Sequence, residues 1–543
     1  MTKSKQLIIN IIGVALLFIT LAITPLTSYD PISIPRLILL ICFSFVLLTL
    51  LINSRNQFFG QVNKLVLINS LVFIAWSFLA AIASNGTMFE KFFGVSARLT
   101  GFITYLGFVV LMLSALATGG QQLNRKLLFI LVITGAASMF FALIQVAGAD
   151  PFDWISEYTP IFSVFGNPNF LSSFMAFTTI AAISFWWHKS IKVTLISTIY
   201  ALTSIFVIYK SESQQGFLVL LVGISTLLYL WIRQNSKLKK LKYAYQLLWL
   251  TGGIAVLLDI LQKSPWTPIL YKQSVSFRGD FWRSGWQMSL DNPILGVGLD
   301  GYRDNFRFYR DQVAVTRDPI DASVDSAHNV FIDVLTGGGF PLLALYLVWI
   351  FLVFRSAYKV FKREQQFNPF FAGIFTIWIC YLAQSFISIN TISLAIWGWA
   401  LGGAIIGYEV NALKAAEANS PKNRKYALMV MIPFIFGLAL TLPVYLTDTE
   451  FRSAHRSGDV ERILASHEKW PQDVRRMNAT AEILRVNGFP EQALYVSRKA
   501  TRLAPDNYEA WKQMWLNPNI SESERNKVRV KIYSLDPLNN VIK

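Results

Sequence analysis

A chain of 543 residues that is 54% hydrophobic and only 15% charged, with a mean hydropathy of +0.44, is not a soluble multidomain protein. Its formal net charge of +17 would suggest a nucleic-acid partner in a soluble chain, but much of it falls in short segments between apolar runs. No nucleic acid is therefore expected, and two cysteines inside apolar runs, Cys42 and Cys380, give neither a disulfide framework nor a metal site.

The apolar runs have the length that crosses a hydrocarbon core of about 30 Å as helix. Lipid leaves no other way to satisfy the backbone. Met1-Thr2-Lys3-Ser4-Lys5 leads into the first run without a small-residue cleavage pattern, so a retained first span is expected. Spans are expected near 7–25, 37–53, 65–83, 101–117, 127–147, 170–187, 191–209, 215–232, 245–261, 339–354, 370–388, 392–409 and 426–446. The fold class is all-α: a polytopic membrane helical bundle of about 13 transmembrane helices, a long extracytoplasmic loop and a small soluble helical C-terminal domain.

Lys and Arg set the orientation. Alternate linkers are rich in both, among them Arg233 to Lys242 and Arg355 to Arg363, whereas 148–169 has neither. The positive-inside rule then puts the N-terminus in the cytoplasm, and the odd number of spans puts the C-terminal tail outside. Four segments follow: spans one to nine over 1–261, the extracytoplasmic loop over 262–338, spans ten to thirteen over 339–446, and the tail over 447–543.

No expected span has Asp, Glu, Lys or Arg at its centre, which counts against a proton-coupled transporter. The working surface is expected at the membrane–water boundary. There Arg98 stands in Gly94-Val95-Ser96-Ala97-Arg98-Leu99-Thr100-Gly101, just before the fourth span. The stretch 262–327 holds six arginines, two lysines (Lys263 and Lys272) and eight aspartates, with turn signals that argue for order. Arg278 and Arg283 lie close together in an aromatic setting, in Arg278-Gly279-Asp280-Phe281-Trp282-Arg283. Guanidinium groups stay charged and bind phosphate in forked pairs, so these two with Arg98 can grip a pyrophosphate whose lipid stays in the bilayer. Arg303, Arg307 and Arg310 read instead as a solvated helix face beside Asp304 and Asp311.

Of four histidines, His328 alone falls at the outer face, in Asp325-Ser326-Ala327-His328-Asn329-Val330-Phe331-Ile332-Asp333. A helix is expected to start near Ser326, with Ser326 as its cap and Asn329 one turn from Asp333. His328 can take a proton from an attacking hydroxyl, a nearby carboxylate fixing its tautomer; the same spacing also fits a histidine that only caps or packs. Gly337-Gly338-Gly339 reads as a hinge into the tenth span, since no strand precedes it to make a phosphate loop. No zinc-type cluster or convincing carboxylate pair appears, so no metal or other cofactor is expected. In the tail, Leu484, Gly488, Ala493-Leu494, Ala500, Leu503, Pro505 and Ala510-Trp511 look like a tetratricopeptide-type helix pair that must pack on something else.

The order span, long loop, Ser326-Ala327-His328-Asn329-Val330-Phe331, then Gly337-Gly338-Gly339-Phe340 resembles the O-antigen ligase family. That superfamily also includes O-antigen polymerases and bacterial protein O-oligosaccharyltransferases. Phe165-Gly166-Asn167-Pro168-Asn169-Phe170, Gly94 to Gly101, and Arg283 through Asn292-Pro293-Ile294-Leu295-Gly296-Val297-Gly298 add to the likeness, which covers roughly residues 90–410. It implies a metal-independent glycosyltransferase that moves a preassembled glycan from a polyprenyl-pyrophosphate donor, typically undecaprenyl pyrophosphate, to an acceptor hydroxyl. His328 would be its catalytic residue, and Arg98, Arg278, Arg283 and Asn329 its substrate-binding residues. The partners it implies are the lipid-linked donor, a glycan, lipid or protein acceptor and membrane lipids, with the tail available to a protein partner. One departure is Ser213-Gln214-Gln215-Gly216, where family members often have Ser-Arg-Gly. Three alternatives stay open: a repeat-unit polysaccharide polymerase, a flippase or transporter for lipid-linked sugars, and a scaffold without chemistry.

Overall fold

The computed structural model describes residues 3–54, 64–154, 161–187, 190–234, 241–260, 273–316, 324–364, 366–411, 424–539 and 542. Every regular element among them is helical, and ten helices are long and apolar enough to cross a bilayer. Two shorter apolar helices, Phe102–Thr118 and Pro168–Ile183, meet the fourth and sixth expected spans, and Leu241–Ile260 meets the ninth. The chain is a polytopic helical membrane protein. The expected break at His188-Lys189 lies outside the described residues, as do Lys263, Lys272 and Arg317, but the helices on either side of that break are separate.

Local chemistry sets the helix starts. Asn167 and Asn368 each cap a helix through the side-chain oxygen, and proline follows at the first helical position. Inside the bundle, Gly403 and Gly407 bring the Ile392–Asn411 helix onto Phe102–Thr118. A Cβ at either would stand 2.2 or 2.3 Å from the carbonyls of Met112 and Leu116, so small residues four apart permit backbone contact.

One charge lies deeper than expected. The second spanning helix, Ser33–Asn53, begins before residue 37 and carries Arg36 into the bundle, where it is 3% exposed. Its guanidinium donates to the carbonyls of Thr20 (3.1 Å) and Val164 (2.5 Å), which tether the segment leading to Asn167-Pro168.

The expected hinge is present. The Val330–Arg363 helix breaks at Gly338 and Gly339, the latter at φ 72°, a region glycine enters without steric cost. The freed groups find partners: Phe340 N–H donates to Pro293 O (2.9 Å), Val297 N–H to Thr336 O (2.8 Å) and Trp76 Nε1 to Gly338 O (2.9 Å). The hinge thereby fastens residues 293–297 against the third and tenth spanning helices.

The last spanning helix, Arg424–Ser457, runs without a break into the tail. There Val474–Val486 and Pro490–Leu503 pair through Met477, Ala481, Leu484, Ala493, Val496 and Ala500. A second pair, Tyr508–Trp515 and Glu522–Leu535, packs through Tyr508, Met514, Val528 and Ile532, with Leu494 joining the two. His467 Nε2 and His455 Nε2 each lie 2.9 Å from the Thr480 hydroxyl, and His455 Nδ1 lies 2.8 Å from Phe451 O. The carbonyl requires a proton on His455 Nδ1, so Thr480 donates to His455 and accepts from His467.

Candidate active site

The segment carrying His328 is held from several directions. Val330 opens the helix and Asn329 caps it, its Oδ1 accepting from the N–H groups of Phe331 (2.9 Å) and Ile332 (3.3 Å). The cap is thus Asn329 rather than the expected Ser326, whose hydroxyl accepts from the His328 N–H at 3.2 Å. Asp333 reaches back to accept from Ala327 N–H at 2.9 Å. His328 itself adopts φ 51°, a left-handed conformation that costs an ordinary residue about 1 kcal/mol and persists where surroundings enforce it.

Arg98 supplies much of that enforcement. It is 8% exposed and flanked by Ala97 and Leu99, both at positive φ. Its guanidinium donates to the Asp325 carbonyl at 2.5 Å and lies 3.5 Å from Asp300 and 3.7 Å from Asp333. Burial lowers its pKa, but these carboxylates outweigh burial and hold it above the ordinary value. Asp300, which no sequence motif singled out among the eight aspartates of the long loop, accepts from Val95 N–H (3.2 Å), Thr100 N–H (3.0 Å) and Thr100 Oγ1 (2.5 Å).

The Gln273–Asp291 helix forms the facing wall. The Phe281 ring lies 5.7 Å from the His328 ring, and Arg278 is one turn earlier on that helix. Arg278 is partly buried, and among the described residues its guanidinium has no hydrogen-bond or ion-pair partner. Burial lowers its pKa. Arg283 differs: its guanidinium donates to Asp280 (2.5 Å) and Asp311 (2.7 Å), and its side chain is 51% exposed. The two arginines paired in the sequence therefore have unlike environments.

Burial first, then the charges of Arg278 and Arg98, lower the His328 pKa to about 4, with Asp325 opposing them. The ring is consequently neutral at pH 7. Among the described residues no carboxylate hydrogen-bonds it, so the expected tautomer-fixing contact is absent and Asp325 acts through charge. Asp325 also lies 3.4 Å from Arg303 and 3.7 Å from Arg475 of the tail. Asp300 links this region to a cleft of about 440 Å³ lined in part by Glu90, Asp304, Asn305, Phe308, Asp506 and Asn507. Burial pushes the Asp304 carboxyl up to about 6 and the Glu90 carboxyl to about 7. Among the described residues no group of three or more His, Cys, Asp or Glu is arranged to hold a metal ion.

Compared with known families, residues 199–347 match the O-antigen ligase family, a stretch that contains Arg278, Arg283, His328 and the Gly338-Gly339 break. The chain carries an O-antigen ligase domain. This is the domain of O-antigen ligase and polymerase-type membrane glycosyltransferases, and it makes the protein a multi-pass membrane enzyme of that type. No curated protein matches the chain. Arg98 and the tail lie outside the matched stretch, and both are packed against the ligase domain's histidine segment.

Two motifs distant in sequence also meet within the bundle. Ser213 Oγ donates to Asn169 Oδ1 at 2.7 Å, and Gln215 Nε2 to Ser173 Oγ at 2.9 Å. The glutamine that departs from Ser-Arg-Gly is therefore tied to the helix that Asn167 caps, beside the serine that holds Asn169.

Arg303, Arg307 and Arg310 correct the reading of a solvated face. Arg307 and Arg310 are 3% and 4% exposed, because the tail covers them. Arg310 engages both oxygens of the buried Asp536 carboxylate (3.1 and 2.6 Å), and Arg307 reaches Asp536 (3.4 Å), Glu509 (3.3 Å) and the face of Tyr508 (4.0 Å). No local pattern announces a partner more than 200 residues away.

Proposed function

We propose that the protein transfers a preassembled glycan from a polyprenyl-pyrophosphate donor to an acceptor hydroxyl at the outer face of the bacterial inner membrane, with its N-terminus in the cytoplasm. The observation that carries this reading is the placement of a neutral His328 beside Phe281, one turn from an Arg278 guanidinium that has no partner among the described residues. The acceptor oxygen attacks the anomeric carbon and its proton passes to a ring nitrogen of His328. The bond from that carbon to the pyrophosphate oxygen breaks, and polyprenyl pyrophosphate leaves with the electron pair. Arg278 stabilises the departing charge, an electrostatic role. Arg98 is assigned a different part: its fork is engaged by Asp325, Asp300 and Asp333, so it shapes the histidine segment. Asn329 likewise acts through its cap, and Arg283 through the carboxylates it joins.

Donor binding also tunes the base. Arg278 and Arg98 lower the His328 pKa. A bound pyrophosphate offsets their charge and makes the ring more basic when the acceptor arrives. Carboxylates, amides and Phe308 in the adjoining cleft suit sugar hydroxyls and sugar faces, which supports placing part of the glycan there.

The test uses purified wild type and His328→Ala with a polyprenyl-pyrophosphate-linked glycan and acceptors, measuring released lipid pyrophosphate. Release by wild type and not by the folded variant is expected; equal release sinks the histidine role. Product size separates one transfer from a polymer ladder. If neither protein releases lipid pyrophosphate while labelled donor crosses liposomes, transport replaces transfer as the function.

A further inference from the structure

In the tail, the helix Val474–Val486 begins against the two segments that shape the histidine. Asp473 caps Val474–Val486 through one oxygen, accepting from Arg476 N–H at 3.1 Å, and takes the Ser96 hydroxyl with the other. Two residues on, Arg475 Nη1 donates to the Ser96 carbonyl at 2.8 Å and lies 3.7 Å from the Asp325 carboxylate. Ser96 is two residues before Arg98, whose guanidinium returns to the Asp325 carbonyl. The contacts form a closed ring: Ser96, Arg98, Asp325, Arg475 and Ser96 again. The far end of the tail is fixed separately by Asp536 on Arg307 and Arg310, so the helix pairs are anchored at both ends.

We propose that the tail is a working part of this site, with Arg475 as a positioning residue that sets the His328 segment and screens the charge of Asp325. The inference rests on the transfer reading above, with His328 as the base. It differs from simple docking because Arg475 touches Asp325, whose charge favours protonated His328. Arg475 also helps hold that carboxylate below its ordinary pKa. The charged groups around the ring are Arg98 from the segment before the fourth span, Arg278 from the facing helix and Asp325 from its own segment. Arg303 and Arg475 act on Asp325 from the long loop and the tail. Loss of Arg475 removes one positive charge and unscreens one negative charge. Both changes favour protonated His328, which cannot serve as base.

The experiment compares full-length wild type, Arg475→Ala, Arg475→Lys and Asp325→Asn, together with the Arg475→Ala/Asp325→Asn double variant. Each is assayed for release of lipid pyrophosphate across pH. In Arg475→Ala, kcat falls about fivefold, the scale of one lost hydrogen bond, with the donor KM unchanged. The acid limb of its kcat profile moves to higher pH. Arg475→Lys restores the limb through its charge and only part of kcat, because an ammonium lacks the fork. On the Asp325→Asn background, Arg475→Ala moves the limb less, since the charge it screened is gone. A folded Arg475→Ala protein with wild-type kcat and limb overturns the proposal while His328→Ala remains inactive. Should Arg475→Ala not fold, Arg475→Gln, which keeps a hydrogen-bond donor and loses the charge, carries the same comparison, and an unmoved limb in it overturns the proposal. If His328→Ala is itself active, the transfer reading fails first and takes this proposal with it.

Discussion

The guanidinium of Arg98 donates to the backbone carbonyl of Asp325 at 2.5 Å, three residues before His328. An arginine buried beside Asp300 and Asp333 leaves uncompensated carboxylates when removed, a loss of about 3 kcal/mol or more. Arg98→Ala should therefore lower thermal stability in detergent and abolish transfer. Arg98→Lys should keep much of the stability but little of the activity. An Arg98→Lys protein as active as wild type would show that the fork does not set the histidine segment.

Arg278 and Arg283 should separate by function. Arg278 has no partner among the described residues to strand, so Arg278→Ala should melt like wild type while kcat/KM falls about 100-fold, the scale for removing one preorganised donor. Arg283 is half exposed and held by two aspartates, so Arg283→Ala should change kcat/KM by no more than a few-fold. The reverse ranking in steady-state kinetics would exchange their roles.

The pH profile has a defined sign. His328 works as a base when neutral, so activity disappears as pH falls through its pKa. In free protein that pKa is lowered to about 4 by burial, Arg278 and Arg98, and the acid limb of kcat/KM should lie there. The acid limb of kcat, which reports the donor complex, should lie at higher pH because the pyrophosphate neutralises those arginines. Coincident limbs would remove the tuning argument.

The tail should lose stability in acid. Burial keeps His467 neutral, its pKa lowered from 6.5 to about 3, so the unfolded chain binds the proton more readily. The stabilising contribution is complete above about 6.5 and drains away as pH falls toward 3. Hydrogen exchange across 474–503 at pH 7.5 and 5 should show faster opening at pH 5. His467→Gln should flatten that difference.

Asp536 should be indispensable to docking. Its exposure is 0%, and removing it leaves two buried guanidinium groups with reduced compensation, a cost of about 3 kcal/mol. Asp536→Ala should expose the 307–310 segment to proteolysis. Asp536→Asn should be milder because it still accepts hydrogen bonds, and equal effects would show that the lost charge alone is the cause.

The sequence was legible wherever one local pattern sufficed. Apolar length revealed the helices, and three consecutive glycines before Pro341 revealed the hinge. His328 stood out because histidines are scarce and one fell at the bundle's edge. Pairing was less legible. Arg278 and Arg283 look equivalent until Asp280 and Asp311 are seen to engage only the second. Arg307 and Arg310 read as solvated because Asp536 is remote in the chain, and Ser326 looked like a cap because the helix was expected to start there rather than at Val330. Asp300 gave no signal beyond its turn, although it fastens the Arg98 segment to the long loop.

The contacts joining Ser96, Asp325 and Arg475 carry a rule of parity. Residues that touch must emerge on one side of the bilayer, so the crossings between them come in even numbers. Six described helices that meet expected spans separate Arg98 from Asp300: Phe102–Thr118, Gln121–Val146, Pro168–Ile183, Ile191–Lys210, Gln214–Gln234 and Leu241–Ile260. Four more helices that meet expected spans separate His328 from Arg475: Val330–Arg363, Pro369–Ile387, Ile392–Asn411 and Arg424–Ser457. If the other five cross, an even number requires Leu241–Ile260 to cross as well. A relative that gained or lost one crossing in either interval would have the pieces of this site on opposite sides of the membrane, whereas a change of two would leave them together.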